Sequence, residues 1–336
     1  MTTASEAGQS IDARIPLRGS DVALPVMGLG TWAWGDASTW GMNAYDRSYN
    51  FDTIRQAYQA SIAAGITFLD TAEVYGNGES ERIIGRLLAE DREHRGQVVI
   101  ATKFLPLPYK VWVASALMAA LEASLQRLQL PCVHLYQIHG PISLRSHQAM
   151  AAALAAAVQA GLVKAVGVSN YSEKEMRAIH AALAQHGVPL ATNQIEFSLL
   201  RTMPMTHGLL RACKELGVAV LAYSPLGQGR LTGKYSPSHP PPGRRQFSNY
   251  PMEEIAPLLA QLTRIGERYG KTPAQVALNW LICKGTIPIP GAKNQAQAEQ
   301  NAGAIGWRLG DEDVRALDAV SKPGQRGLFH RIWQHG

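Results

Sequence analysis

The sequence predicts a (β/α)8 (TIM) barrel, a single domain with its long loops on the C-terminal face. Three observations carry that prediction. Short runs of β-branched and aliphatic residues alternate with longer stretches of helical periodicity, the pattern of parallel β/α units. Each short run is continuously apolar, as strands buried on both faces must be. Eight strand–helix units can be counted along the chain, which favours a closed ring over an open sheet.

The first strand lies near Met27 to Leu29, and Ile66-Thr67-Phe68-Leu69-Asp70 is the second. Val98 to Ala101, Val133 to Ile138, Val163 to Val168, Leu190 to Ile195, Val218 to Ala222 and Thr286 to Ile289 follow in order. Residues 52 to 64 repeat apolar side chains at helical spacing and stop before Gly65, a residue suited to ending a helix. Ser172-Glu173-Lys174-Glu175 reads as a capping box after the fifth strand, because its serine and its glutamate can satisfy each other's backbone N–H groups. Thr272-Pro273-Ala274-Gln275 is another, with proline at the first helical position. Two segments read as long loops, Trp32 to Tyr49 after the first strand and Ser236 to Pro251 after the seventh. In a barrel both lie on the C-terminal face, where active sites form. The tail after Lys322, rich in glycine, aromatic and basic residues, is composed to fold back onto that face.

The single domain spans residues 1–336, with its core at about 22–321 and a flexible N-terminal tail over 1–14. Hydrophobic residues make up 46% of the chain and charged residues 17%, which supplies a large core and excludes a disordered chain. The net charge of +6 permits a polyanionic partner. The cations are scattered, however, and the one local cluster is Arg244-Arg245. Without a basic run interleaved with aromatics, no nucleic-acid partner is expected; a phosphorylated cofactor accounts for a few well-placed cations. Cys132, Cys213 and Cys283 are far apart and lack metal-ligand spacing, so a reducing compartment and no metal are expected. Met1 to Asp12 has no apolar signal region, and the Ala-rich stretch Ala149 to Val158 falls short of the about 20 residues that span a bilayer. It reads as a helix. The expectation is a cytoplasmic protein with no membrane partner. The pattern is compatible with a monomer or a homo-oligomer.

The chemistry shows in position. Asp70 ends the second strand, with Tyr75 five residues later; Lys103 ends the third and His139 the fourth. Each has an ordinary structural use as a cap, a solvated end or a core histidine. A barrel brings the four to one rim, where their roles complement one another. A tyrosine with its usual pKa of about 10 is a reluctant proton donor at neutral pH, and a nearby ammonium should lower that value. Asp70 can hold Lys103 charged, and His139 can hydrogen-bond a substrate oxygen. This is apparatus for protonating an alkoxide as hydride arrives at carbon.

Phe68-Leu69-Asp70-Thr71-Ala72-Glu73-Val74-Tyr75-Gly76, with Gly78-Glu79-Ser80-Glu81 and Gly85, resembles the aldo-keto reductase signature. Ala101-Thr102-Lys103 is similar to that family's lysine strand and Leu135-Tyr136-Gln137-Ile138-His139 to its histidine strand. The resemblance runs from about Gly28 to Asn301, and all four catalytic positions match. It implies NADPH or NADP+ as cofactor, with Tyr75 as general acid, assisted by Lys103 and Asp70, and His139 orienting the carbonyl. Gly30, Thr31, Trp32 and Asp70 are implied beside the cofactor. Ser169 and Asn170 with Gln194 resemble the segment that holds the nicotinamide carboxamide, and Tyr223 the aromatic that stacks on its ring. Ser224, Pro225, Leu226, Gly229 and Lys234 lie in a stretch similar to the one that wraps the pyrophosphate. Gly291, Lys293, Gln297, Gln300 and Asn301 resemble the adenosine site, Lys293 standing where the family pairs a cation with the 2′-phosphate. Gln300 departs from the glutamate of many members, yet both can accept a bond from the adenine amino group. No Gly-x-Gly-x-x-Gly follows a strand, so no Rossmann motif is expected.

The implied reaction is reduction of an aldehyde or ketone. It is reversible in principle, so an NADP-dependent sugar or alcohol dehydrogenase is the enzymatic alternative. A weakly active NADPH-binding redox sensor of the potassium-channel β-subunit kind is the other class. No channel-docking motif is identifiable, which favours the enzyme. Trp32, Trp34, Trp40, Tyr109 and Trp112, after strands one and three, are candidate walls of a substrate pocket, with packing beneath the loop as the competing use. The phrase Gly30-Thr31-Trp32-Ala33-Trp34-Gly35 resembles plant and bacterial members, some of which reduce pyridoxal.

Overall fold

The computed structural model describes residues 13–36, 49–241, 249–325, 327 and 332–336. Two short strands, β1 (Arg14–Pro16) and β2 (Ala23–Pro25), form an antiparallel hairpin. The main sheet then runs through β3 (Leu29–Gly30), β4 (Phe68–Asp70), β5 (Val99–Phe104), β6 (Val133–Ile138), β7 (Val163–Ser169), β8 (Leu190–Glu196), β9 (Ala219–Tyr223) and β10 (Ile287–Pro288). Each strand pairs in parallel with its sequence neighbour. The ring closes where the Gly28 and Gly30 N–H groups donate to the Pro288 and Pro290 carbonyls at 2.9 and 3.0 Å. A Cβ on Gly30 would sit 2.8 Å from the Ile289 carbonyl oxygen, so this close approach requires glycine there. The eight expected strands are all present, and β5 runs on past Ala101 to take in Lys103.

Parallel strands joined by helices bury both faces, and the two cores follow from that. The larger lies between the sheet and the surrounding helices. The smaller fills the barrel, where Phe68, Ala101, Leu135, Ala165, Ala191, Leu221 and Ile287 meet Leu17, Val22 and Leu24 of the hairpin. The hairpin therefore plugs the N-terminal mouth, fastened by Arg14 donating to the Thr67 hydroxyl at 2.9 Å. Full burial of a leucine such as Leu24 contributes about 1.5–3 kcal/mol. A core starting at about residue 22, as the sequence suggests, leaves out Leu17 and the first strand of this plug.

Helices form where their ends are satisfied. The helix Phe51–Ala63 starts at an Asn50–Thr53 capping box and is followed by Gly65 at φ +79°. Both expected capping boxes are complete, at Ser172 for Glu173–Ala184 and at Thr272 for Pro273–Cys283. The Ala-rich stretch is the helix His147–Gln159. Residues 37–48 and 242–248, which include Trp40, Arg244 and Arg245, lie outside the described residues, as does the tail over 1–12.

Candidate active site

The C-terminal rim gathers the four chemistry-bearing residues. Asp70 ends β4, Lys103 lies one residue before the end of β5, and His139 follows β6. Tyr75 opens a short 3₁₀ turn, Tyr75–Gly78, whose Gly76 and Gly78 adopt positive φ. A Cβ on Gly76 would meet the Gly35 carbonyl oxygen at 2.7 Å, so the turn folds tightly against the loop after β3.

Lys103 is fully buried and spends its three protons on three oxygens. Its Nζ lies 2.6 Å from Asp70 Oδ2, 2.7 Å from the Thr71 carbonyl and 3.3 Å from Tyr75 Oη. Asp70 Oδ1 accepts from Gln194 Nε2 at 2.7 Å. The His139 ring stands edge-on to Tyr75 at 5.7 Å, and its Nδ1 has no hydrogen-bond partner among the described residues.

Burial decides the protonation states here. It disfavours the Lys103 ammonium, an effect that the Asp70 carboxylate opposes. It holds the His139 imidazole well below its usual value, with the Lys103 charge acting the same way, so His139 is neutral at neutral pH. The expectation that the ammonium lowers the Tyr75 phenol is overturned. Burial, reinforced by the negative charge of Asp70, raises Tyr75 well above 10. Although part of the Tyr75 side chain is open at the mouth, dense packing outweighs the favourable lysine contact. The resident form is the neutral phenol, which carries the proton that a general acid must give.

A second group forms an amide shelf. Ser169 Oγ donates to the Gln194 carbonyl at 2.9 Å, and Asn170 Nδ2 donates to the His139 carbonyl at 3.1 Å. Tyr223 Oη donates to Asn170 Oδ1 at 2.8 Å. Asn170 and the following turn's Ser224 sit at φ +64° and +51°, a left-handed conformation uncommon for non-glycine residues and concentrated at functional sites. Pro225 and Leu226 lead from Ser224 into the turn Gly227–Thr232, in which Gly229 lies at φ +94° beside the exposed Lys234.

The third group follows β10. Lys293 N donates to Gln297 Oε1 at 2.9 Å, Asn301 Nδ2 donates to the Gly291 carbonyl at 3.2 Å, and the half-buried Gln300 gives its carbonyl to Gln275 at 3.0 Å. Lys293 Nζ lies 5.4 Å from the centre of the Tyr49 ring. Gly30 faces Gly291 across the closing joint, so the loop after β3 and this group adjoin.

Two sequence readings change. Trp34 has no exposed surface and donates its indole N–H to the Ala292 carbonyl at 3.0 Å, so it is a core residue bracing the β10 loop rather than a pocket wall. Thr31 is equally buried, and its hydroxyl is engaged with the Asp70 carbonyl and Ser80 Oγ; it holds the strand end in place. Trp32 is half-buried, while Tyr109 and Trp112 are 74% and 81% exposed. The tail does fold back. Trp333 meets the His139 ring at 5.4 Å and covers Gly140, and Gln334 Nε2 donates to Tyr223 Oη and to Glu196 Oε2. The composition of the tail pointed to its docking, but no local pattern singled out these two residues. Among the described residues no group of side chains could hold a metal, and no helix is long and apolar enough to cross a membrane.

The sequence model of the Aldo/keto reductase family matches residues 26–322. The chain is 39% identical over 324 residues to the chloroplastic pyridoxal reductase of Arabidopsis thaliana, covering 93% of this chain and 87% of that protein. Its fold is similar to that of a glycerol dehydrogenase from Gluconobacter oxydans, with TM-score 0.79, 28% identity and coverage of 94% and 98%. It is similar also to an aldo-keto reductase from Klebsiella pneumoniae solved in complex with NADPH, with TM-score 0.73, 28% identity and coverage of 94% and 97%.

Proposed function

The chain belongs to the aldo/keto reductase family, and from that premise we propose that it is an NADPH-dependent reductase of aldehydes or ketones built as one barrel domain. The Lys103 contact to both Asp70 and Tyr75 carries the reading.

The residues present fit the cofactor. Ser169, Asn170 and Gln194 offer neutral amide and hydroxyl groups suited to a carboxamide, and Tyr223 offers a flat ring beside them. The glycine-rich turn Gly227–Thr232 and the exposed Lys234 suit a pyrophosphate, and Lys293 with Gln297 and Asn301 suits a phosphorylated adenosine. Bound there, NADPH supplies the hydride that a carbonyl carbon accepts.

The chain's own groups handle the oxygen. Neutral His139 can donate one N–H to the carbonyl and orient it. Tyr75 gives its phenolic proton to the oxygen as negative charge develops there. The phenolate that remains lies 3.3 Å from the Lys103 ammonium, which stabilises it far better in this buried setting than in water. Asp70 keeps that ammonium charged and aimed. Trp333, edge-on to the His139 ring at 5.4 Å, stands beside that approach.

The 39% identity to a pyridoxal reductase, over 93% of the chain, puts pyridoxal first among candidate aldehydes. NADPH oxidation followed with pyridoxal and a panel of other aldehydes, ketones and sugars tests the proposal. Turnover on some carbonyl, lowered by about 10²- to 10⁴-fold in Tyr75→Phe, is expected. Bound NADPH that no carbonyl oxidises would favour a redox-sensing subunit instead.

A further inference from the structure

From Lys103 one lateral row crosses four barrel strands. Lys103 on β5 pairs with Gln137 on β6, Gln137 with Gly167 on β7, and Gly167 with Thr192 on β8. The row is buried: Lys103, Gln137 and Thr192 have no exposed surface. Gly167 leaves a gap in it, since a Cβ there would lie 2.0 Å from Thr192 Oγ1 and 3.1 Å from Gln137 Cγ. Across the gap the Thr192 hydroxyl donates to Gln137 Oε1 at 3.1 Å, and Gln137 Nε2 reaches Asp70 Oδ1 at 3.5 Å.

The chemistry fixes which way the amide faces. A carboxylate only accepts, so the amide must turn its NH₂ toward Asp70. That leaves Oε1 for a donor, and the Thr192 hydroxyl is one. Asp70 Oδ1 is then met by two amides, those of Gln137 and Gln194, while Oδ2 is left to Lys103. A polar residue deep in a barrel costs stability unless its groups are answered. Here each end of the Gln137 amide has a partner.

We propose that Gln137 is a positioning residue for the Asp70–Lys103 pair, held in its working orientation by Thr192 across the gap at Gly167. It rests on the reductase reading above and adds to it a residue that touches neither substrate nor cofactor. Its action is indirect. By holding Asp70 Oδ1, the amide presents Oδ2 to Lys103 and so keeps the ammonium charged beside Tyr75.

Gln137→Met keeps the length and removes the hydrogen bonds. Gln194 still holds the same oxygen, so the loss is partial, roughly 3- to 10-fold in kcat. KM for the aldehyde and Kd for NADPH should stay within about twofold, less than the tenfold that 1.4 kcal/mol represents. The basic limb of the kcat profile should move down by about 0.5–1 pH unit, because a less firmly held ammonium loses its proton sooner. In the cofactor-free protein, the lysine ¹³Cε resonance that Lys103→Met removes should titrate correspondingly lower. A folded Gln137→Met protein with the limb and the lysine titration both unmoved would overturn the proposal. If Gln137→Met does not fold, Thr192→Val takes its place, since it frees the amide to turn, and an unmoved limb and titration there count equally against it. Wild-type protein that turns over no carbonyl would sink the reductase reading, while the lysine titration would still judge Gln137.

Discussion

The proposed catalytic side of the mouth and the proposed cofactor side are built on opposite terms. Around Asp70, Lys103 and His139 the side chains leave strands or strand ends and are buried, and the Lys103 ammonium is met by three protein oxygens. Around Lys234 and Lys293 the cations leave loops, lie exposed or half-buried, and face the Tyr235 and Tyr49 rings at 4.8 and 5.4 Å. The difference follows from what each side must do. Moving a proton needs fixed geometry and a low dielectric, in which a nearby charge counts for most. Capturing a phosphate needs cations that water and the incoming anion can reach, and the attraction is screened by salt accordingly.

Substitutions on the two sides should therefore differ in kind. The largest effect belongs to Tyr75→Phe. It removes the proposed proton donor and should lower kcat by about 10²- to 10⁴-fold with NADPH affinity almost unchanged; near-wild-type kcat would break the comparison at its strongest point. Lys103→Met comes next. Burial lowers the Lys103 pKa and raises that of Tyr75, so as pH rises the lysine deprotonates first. In the proposed mechanism the basic limb of turnover therefore belongs to Lys103, and the rate should fall as pH rises through its lowered pKa. The methionine variant should be slow but level to higher pH, and a limb left in place would assign it elsewhere.

Lys293→Ala should act on recognition alone. A charge-assisted hydrogen bond is worth about 1.5–3 kcal/mol, so NADPH should weaken at least roughly tenfold at low salt while NADH changes little. Fluorescence titration of both cofactors at two salt concentrations checks this. Equal losses would make Lys293 a loop support. The smallest effect belongs to Trp112→Ala. At 81% exposure it should leave stability within about 0.5 kcal/mol and kcat unaltered. A raised KM for one carbonyl would show that this indole meets substrate.

What the sequence made legible divides along the same line. Barrel strands were readable because strands buried on both faces leave continuous apolar runs, and Asp70, Lys103 and His139 because polar residues stand at the ends of those runs. Capping boxes were readable because their bonds span three residues. The β1–β2 hairpin was not, since three-residue strands bounded by proline carry no period to detect. Local pattern also hid everything that depends on distant packing. The burial of Trp34, the docking of Gln334 on Tyr223, and the bridge from Gln137 to Thr192 across Gly167 all join residues many positions apart. The Tyr75 pKa runs against the motif for the same reason: a neighbouring charge can be read from a motif, whereas the desolvation that opposes it comes from the whole fold.

The joint that closes the ring has its own consequence. In a parallel ladder a residue's N–H and C=O face the same neighbour. Pro288 and Pro290 turn their carbonyls to Gly28 and Gly30, and having no N–H they can return nothing. The staves of this barrel are thus hooped unevenly, with the return bonds of two residues at one joint removed by covalent structure. Local opening is easiest where fewest bonds must break. Breathing there would loosen β10 first, with the Trp34 indole on the Ala292 carbonyl as a remaining tether to the loop after β3. On the other side β3 stays tied to β4 through Thr31 N on the Asp70 carbonyl, so the residues proposed to handle the proton would ride out the motion in place.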